Sequence, residues 1–201
     1  MLDRWTIRIF RNPLNRLAAR LKQTGCRPDH ISFGAFGIGM AVLPALYLHH
    51  YWLALICIVV NRIGDGLDGA LARMTQTSDA GSFLDIVLDF IFYSAVVFGF
   101  AVANPEVNGL AAATLLFSFV GTGSSFLAFA ILAERRGIEN IVYPQKGIYY
   151  LSGLAEGTET LIFFVLFCIF PDHFPILAYV LAVICLITVL TRVIGGYYAL
   201  R

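Results

Sequence analysis

The stretch NRIGDGLDGALARMTQTSDAGSFLDIVLDF, Asn61 to Phe90, sets carboxylates where an apolar chain tolerates them least. Asp65 and Asp68 are spaced i, i+3; Asp85 and Asp89 are spaced i, i+4. Either spacing puts both carboxylates of a pair on one helix face. Hydrophobic runs flank the stretch on both sides. A carboxylate near the bilayer centre costs at least ~2.5 kcal/mol, so such groups face protein or water and mark function. At 1.5 Å per residue from a loop between Met74 and Ala80, Asp68 and Asp65 lie about 9 and 13 Å deep, and Asp85 and Asp89 about 7–8 and 13 Å. The two helices are consecutive, joined by a short loop that holds Asp79, and are expected as antiparallel neighbours with their acid pairs at matched depth. Four carboxylates facing one another repel unless cations sit between them. Hard divalent cations with all-oxygen ligands, Mg²⁺, Mn²⁺ or Ca²⁺, answer that need.

Glycines surround the acids: Gly64, Gly66 and Gly69 beside the first pair, Gly81 just before the second. Glycine is costly inside a helix, so this density points to a close approach of backbone to a ligand or partner helix. Arg73 stands at the mouth, where it can neutralise phosphate. Divalent cations, small residues and an arginine together suit a diphosphate held by its oxygens. The competing reading is a set of ion pairs that ties a bundle together, Arg62 with Asp65 for example. It leaves four acids against two arginines, an unbalanced buried charge.

The elements that must position these groups follow from composition. The chain is 59% hydrophobic and 13% charged over 201 residues, against about 25% charged in an ordinary soluble domain. Six apolar segments can be marked, at roughly 31–49, 52–73, 81–103, 109–132, 147–170 and 174–200, each near the ~20 residues that span a bilayer. The expected fold is all-α: a polytopic membrane protein of six transmembrane helices, preceded by an N-terminal amphipathic surface helix. It forms a single domain over 1–201, with 1–27 juxtamembrane and 28–201 the six-helix bundle. Basic residues gather in the N-terminal stretch, at Arg73, at Arg135, Arg136 and Lys146, and at Arg201, while the alternate connectors hold none. That asymmetry places both termini in the cytoplasm, in a multi-pass protein of a bacterial cytoplasmic membrane.

Within the basic stretch Phe10, Leu14, Leu17, Ala18 and Leu21 recur at helical spacing, with Arg11, Arg16 and Arg20 on other faces. Asn12-Pro13 reads as an N-cap and first helical residue, and Gly25 as a C-cap. The expectation is a helix over 13–22 on the cytoplasmic leaflet, apolar side down and arginines near anionic lipid; the alternative is a plain topogenic tail. Three of the four cysteines, Cys57, Cys168 and Cys185, lie in apolar runs, and with Cys26 they show neither metal spacing nor a disulfide framework.

The acid-bearing stretch resembles the signature of the CDP-alcohol phosphotransferases, D-x2-D-G-x2-A-R-x(7–9)-G-x3-D-x3-D. Here it reads Asp65, Asp68, Gly69, Ala72, Arg73, Gly81, Asp85 and Asp89, with every fixed position matched. The six-segment layout with an N-terminal surface helix is similar to the family as well. The resemblance implies transfer of a substituted phosphate (phosphatidyl) group from a CDP-linked donor, CDP-diacylglycerol in most members, to an alcohol acceptor, with release of CMP, in phospholipid biosynthesis. It implies one or two divalent metals, Mg²⁺ or Mn²⁺, held by Asp65, Asp68 and Asp85. Asp89 is then the general base, touching a metal as well. Gly69, Ala72, Arg73 and Gly81 line the donor site. The family pattern Pro-Asn-x-(Ile/Leu)-Thr is met in part by Pro28-Asp29-His30-Ile31-Ser32.

The acceptor must be sought elsewhere. Segment five carries Glu156 and Glu159, segment six carries Arg192, and Lys146 and Arg135 lie in the preceding loop region. In one reading Arg192 pairs with a glutamate and ties helices five and six. In the other these five residues line the acceptor pocket, the glutamates suiting a polyol or amine and the cations a phosphorylated alcohol. Gly34, Gly37 and Gly39, and Gly121, Gly123, Ser124 and Ser125, offer small surfaces for helix packing, the second set alternatively a homodimer interface. Pro44 is expected to kink the first segment. The partners expected are the lipid donor, a small alcohol and membrane lipid, with no nucleic acid. A divalent-cation transporter or channel is the other function class, since intramembrane carboxylates also mark ion pathways. Its weakness is placement: the outer halves YWLALICIVV and IFYSAVVFGFAVA are nearly all apolar.

Overall fold

A computed structural model describes residues 3–137 and 154–201, with side chains from residue 12 onward. Those residues form eight α-helices and one short 3-10 turn: α1 (Asp3–Gln23), α2 (Pro28–Met40), α3 (Val42–Tyr47), α4 (Tyr51–Met74), α5 (Asp79–Ala103), α6 (Pro105–Arg135), α7 (Gly157–Ile169), the turn Pro171–His173, and α8 (Phe174–Leu200). The all-α expectation holds throughout the described residues.

Four stretches are long and apolar enough to cross a membrane: Pro28–Tyr47, Asp79–Ala103, Pro105–Arg135 and Pro171–Leu200. At 24 residues, α4 is also ~36 Å long, but it carries Arg62, Asp65, Asp68 and Arg73. The fifth expected segment shows only α7, 13 residues long; the part expected before residue 154, and Lys146 ahead of it, lie outside the described residues.

Local chemistry sets the boundaries. Ser78 caps α5, its Oγ accepting from Gly81 N at 3.0 Å, so Asp79 belongs to the first helical turn rather than to the loop. Asn104 caps α6 through Val107 N, with Pro105 at the first position. The first segment breaks at Ala41, between α2 and α3. Pro44 has no N–H to donate and crowds the carbonyl four residues back, so the break falls just where the sequence led one to expect a kink.

The N-terminal helix differs from expectation in extent and in what it faces. It begins by Asp3 and runs through Asn12-Pro13, so Asn12 is not its cap. Pro13 lies on the exposed side, where its missing backbone bond costs least. Its apolar side does not simply face lipid: Leu14, Ala18 and Leu21 pack against Leu67, Ala70, Leu71 and Met74 of α4, and Lys22 Nζ donates to Met74 O at 2.6 Å. Gly25 ends the helix region at φ +73, the left-handed conformation expected of a C-cap glycine.

The main core lies toward the other end of the bundle. Phe92, Val96 and Phe100 of α5 meet Ile58, Leu115, Phe164, Phe167, Phe174 and Leu181. Phe100 stacks on Phe174 at 4.7 Å between ring centroids. Cys57, Cys168 and Cys185 are buried free thiols. Small residues bring helices together at Gly39, Gly121 and Gly123. A Cβ on Gly121 would stand 3.0 Å from Val189 of α8, and one on Gly123 2.8 Å from the Phe90 ring of α5. Those two glycines therefore serve helix packing within the chain, the first of the two uses the sequence offered for them. A Cβ on Gly34 or Gly37 would meet nothing within 4 Å among the described residues.

The arrangement that matters for function is a gap. Although α4 and α5 are joined by only 75–78, their backbones make almost no contact, and α2 packs on both. The two helices expected as neighbours thus face each other across a cleft, with α2 packed on both.

Candidate functional site

The gap is a narrow cleft lined by Ser32, Ala35 and Phe36 of α2, Asn61, Arg62, Asp65 and Asp68 of α4, and Asp85, Leu88 and Asp89 of α5. Helical spacing turns both acid pairs into it, as the sequence required. Asp65, Asp68 and Asp85 each offer a carboxylate oxygen, and the three oxygens lie within 4.8 Å of one another. Asp68 is buried, Asp65 half-buried and Asp85 exposed. Three hard, anionic oxygen donors from two helices at this separation fit a divalent cation such as Mg²⁺ or Mn²⁺.

Asp89 is set apart from that trio. Its Oδ1 accepts from Arg62 Nη2 at 2.5 Å. Arg62 Nη1 lies 3.6 Å from Asp65 Oδ2, so the arginine spans from the trio to the fourth acid. The ion pair weighed in the sequence as a structural alternative is thus present, and it coexists with the three-carboxylate cluster. The guanidinium is boxed in: Nε and Nη2 donate to Asn61 Oδ1 at 3.0 and 2.6 Å, Nη1 donates to the Tyr93 hydroxyl at 3.4 Å, and its carbon lies 5.2 Å from the ring centroids of both Phe92 and Tyr93.

Ser32 was named in the sequence only as a partial match, yet it reaches the cluster directly, its Oγ donating to Asp68 Oδ2. In the sequence Asn61 has no assigned role, and Arg62 only that of an ion-pair partner to Asp65. Their signal was available: Asn61 is one helical turn before Asp65 on the same face, and an intramembrane arginine demands a partner.

The other expected residues scatter by role. Gly69 and Arg73 face each other one turn apart on α4, a Cβ on Gly69 falling 3.3 Å from Arg73 Nη1. Arg73 is exposed and Ala72 half-buried. Gly81 sits in the α5 cap, where a Cβ would come 3.1 Å from Ser78 Oγ and 3.7 Å from Asp29 Oδ1. Glu156 and Glu159 form a reciprocal capping box at the start of α7, Glu156 N donating to Glu159 Oε2 at 3.2 Å. Arg192 is buried on α8, donates to Thr122 O of α6 at 3.2 Å and lies 5.7 Å from the Phe126 ring centroid. These contacts of Arg192 tie α8 to α6. Arg135 is exposed at the end of α6, and Lys146 lies outside the described residues.

The chain is 49% identical over its full length to inner membrane protein YnjF of Escherichia coli, covering 98% of that protein. It is 32% identical to the archaetidylinositol phosphate synthase of Pyrococcus horikoshii over 62% of this chain and 71% of the relative. Its fold is similar to that of the phosphatidylinositol phosphate synthase PgsA1 of Mycobacterium tuberculosis in two solved states. With CDP-DAG bound, the TM-score is 0.67 at 20% identity, over 92% of this chain and 93% of that one. In complex with manganese and citrate, it is 0.71 at 20% identity, over 92% and 88%. Residues 26–194 match the CDP-alcohol phosphatidyltransferase family model. The chain, with its acid-lined gap between α4 and α5, belongs to the CDP-alcohol phosphatidyltransferase family.

Proposed function

We propose that this transferase moves a phosphatidyl group from CDP-diacylglycerol to an alcohol and releases CMP. The observation that carries the reading is the convergence of Asp65, Asp68 and Asp85 within 4.8 Å, with Asp89 beside them on a separate partner. A divalent cation at the three carboxylates supplies charge neutralisation to a diphosphate and to the departing nucleotide. The acceptor hydroxyl oxygen forms a bond to the β-phosphorus. The bond from that phosphorus to the bridging oxygen breaks, and its electron pair leaves with CMP. The hydroxyl proton goes to Asp89. Because Arg62 bonds Oδ1, Oδ2 is the oxygen placed to receive it. Ser32 orients Asp68 through its hydrogen bond. Gly69, Ala72, Arg73 and Gly81, grouped toward the Met74 end of the gap, take the cytidine and phosphate.

For the acceptor, a phosphorylated polyol is the reading we favour. Two relatives are named for inositol phosphate products, and the exposed Arg135 with Lys146 suits a phosphate on the incoming alcohol. A cation conduit would need polar groups past the cleft, and there the chain buries Ile58, Phe92, Val96 and Phe100.

The test is CMP release from CDP-diacylglycerol by purified protein with glycerol 3-phosphate, serine, inositol, inositol phosphate and phosphatidylglycerol offered in turn. Stimulation by inositol phosphate above the rest is expected. Release with none of them contradicts the function, and stimulation by serine alone contradicts the acceptor class. The cleft is placed on the cytoplasmic side, supported by the one-sided basic residues. Single cysteines at Thr77 and Glu106, both exposed, should label from opposite sides of the membrane, Thr77 from the cytoplasm. The reverse pattern would put the cleft out of reach of the nucleotide.

A further inference from the structure

We propose that Thr188 is a positioning residue for the acceptor alcohol: its hydroxyl pins the non-helical start of the fifth span to α8 and so fixes the corner that carries Glu156 and Arg192, a role that rests on the transfer reaction above. The helix of that span, α7, has 13 residues and reaches only ~20 Å, against a hydrocarbon core of ~30 Å. Residues 154–156 ahead of it are not helical, yet Ala155 and Glu156 are buried, at 7% and 5% exposure. They lie against Thr188, near the middle of the 27-residue α8. Backbone at such depth must find its hydrogen-bond partners inside the protein, and irregular backbone is tolerated there only where protein buries it or a polar cavity adjoins it.

Thr188 is that partner, and its side chain is fully buried. A hydroxyl offers one hydrogen and two lone pairs. The hydrogen goes to Ile184 O at 2.9 Å. The lone pairs accept from Leu154 N at 3.1 Å and Ala155 N at 2.9 Å. The next N–H, that of Glu156, is met by Glu159 in the capping box. The whole bonding capacity of the Thr188 hydroxyl is thus in use, and an apolar side chain of the same shape would strand two buried N–H groups. What the pin holds bears charge. Glu156 follows Ala155 directly. Arg192 stands one turn beyond Thr188 on the same face of α8, 7% exposed, and donates to Thr122 O of α6. Ionisable groups buried within a membrane bundle mark a functional site by default. The helix α7 also packs on the acid-bearing α4, so this corner adjoins the reacting helices while the donor end, at Arg73 and Gly81, lies on α4 and α5.

A plain brace between α7 and α8 would make the same bonds, and two measurements separate it from a positioning role. Thr188→Val, Thr188→Ser and Thr191→Val are compared with the unaltered chain in detergent. Amide hydrogen exchange is read at Leu154 and Ala155. KM is read from CMP release for CDP-diacylglycerol and for inositol phosphate, or for whichever alcohol of the panel above stimulates most. In Thr188→Val, exchange at the two amides should rise about tenfold or more, because their acceptor is gone. Its KM for the acceptor should rise about tenfold while that for the donor stays within about threefold. Thr188→Ser restores the hydroxyl and should bring both readouts back to within about threefold of the unaltered chain. Thr191→Val removes a hydroxyl that bonds Thr188 O of its own helix and should change neither. Where Thr188→Val does not fold, Thr188→Ala removes the same hydroxyl and carries the same expectations. Unchanged exchange without the hydroxyl overturns the pin. A parallel rise of both KM values, or a lower melting temperature with both KM values unchanged, leaves only the brace and overturns the positioning role. Exchange needs no substrate, so a chain that releases no CMP fails the transfer reaction, and the acceptor role with it, while the pin at Thr188 is still decided.

Discussion

Two helix pairs of this chain are joined by opposite means. Between α6 and α8, side chains of one helix fill the glycine positions of the other: Val189 over Gly121, Phe129 under Gly196. Lipid gives no hydrophobic drive to helix association, so close packing of small residues does that work. Between α4 and α5 the backbones hardly touch. What crosses that gap is Arg62, bonded to Asp89, together with three carboxylates that gather around one point. A packed interface has no room for a ligand. A pair of consecutive helices that meet through charged side chains, with α2 packed on both, gathers the charge that calls for a cation.

The sharpest break in this comparison comes from the acids. Asp65→Asn, Asp68→Asn and Asp85→Asn should each reduce CMP release to background, and excess chelator should do the same to the unaltered chain. Activity that survives chelation would show that the gap works without a cation. Asp89→Asn comes next: turnover should fall by ~10²–10⁴, the usual worth of a positioned base, while affinity for CDP-diacylglycerol is kept. Parallel loss of donor affinity in Asp89→Asn and Asp85→Asn would instead make Asp89 a fourth ligand. The smallest effect belongs to the packed pair. Gly121→Ala should lower stability by about 1–3 kcal/mol, the usual cost of overpacking, seen as a lower melting temperature in detergent, with Mn²⁺ affinity unchanged. A variant that melts normally but loses Mn²⁺ would mean that the two regions are not separate.

Much of the site was legible because periodicity and spacing are local. The i, i+3 and i, i+4 pairs predict which carboxylates share a face, and the structure turns both pairs into the gap. The helix α8 begins and ends at the residues the apolar run marks, Phe174 and Leu200, with a proline in its first turn. What spacing could not supply was partnership across helices. Nothing in the interval from Asp85 to Asp89 says that one joins a cluster and the other an arginine on α4. Nor could it say that α2 would pack on both consecutive helices, or that Ser32 would reach Asp68. Amphipathicity of the first helix was readable, but the pattern is the same whether Leu14, Ala18 and Leu21 meet lipid or α4. Glu156 and Glu159 at i, i+3 also fit a capping box; the sequence left an ion pair and an acceptor pocket open for them, and the structure uses both to cap α7.

The most direct test of the central claim is anomalous X-ray density from crystals of the unaltered chain grown with Mn²⁺. The expected result is a peak bounded by carboxylate oxygens of Asp65, Asp68 and Asp85, with Asp89 still bonded to Arg62. A cleft without a peak at saturating Mn²⁺, or a peak held by Asp89 with Arg62 displaced, would contradict it.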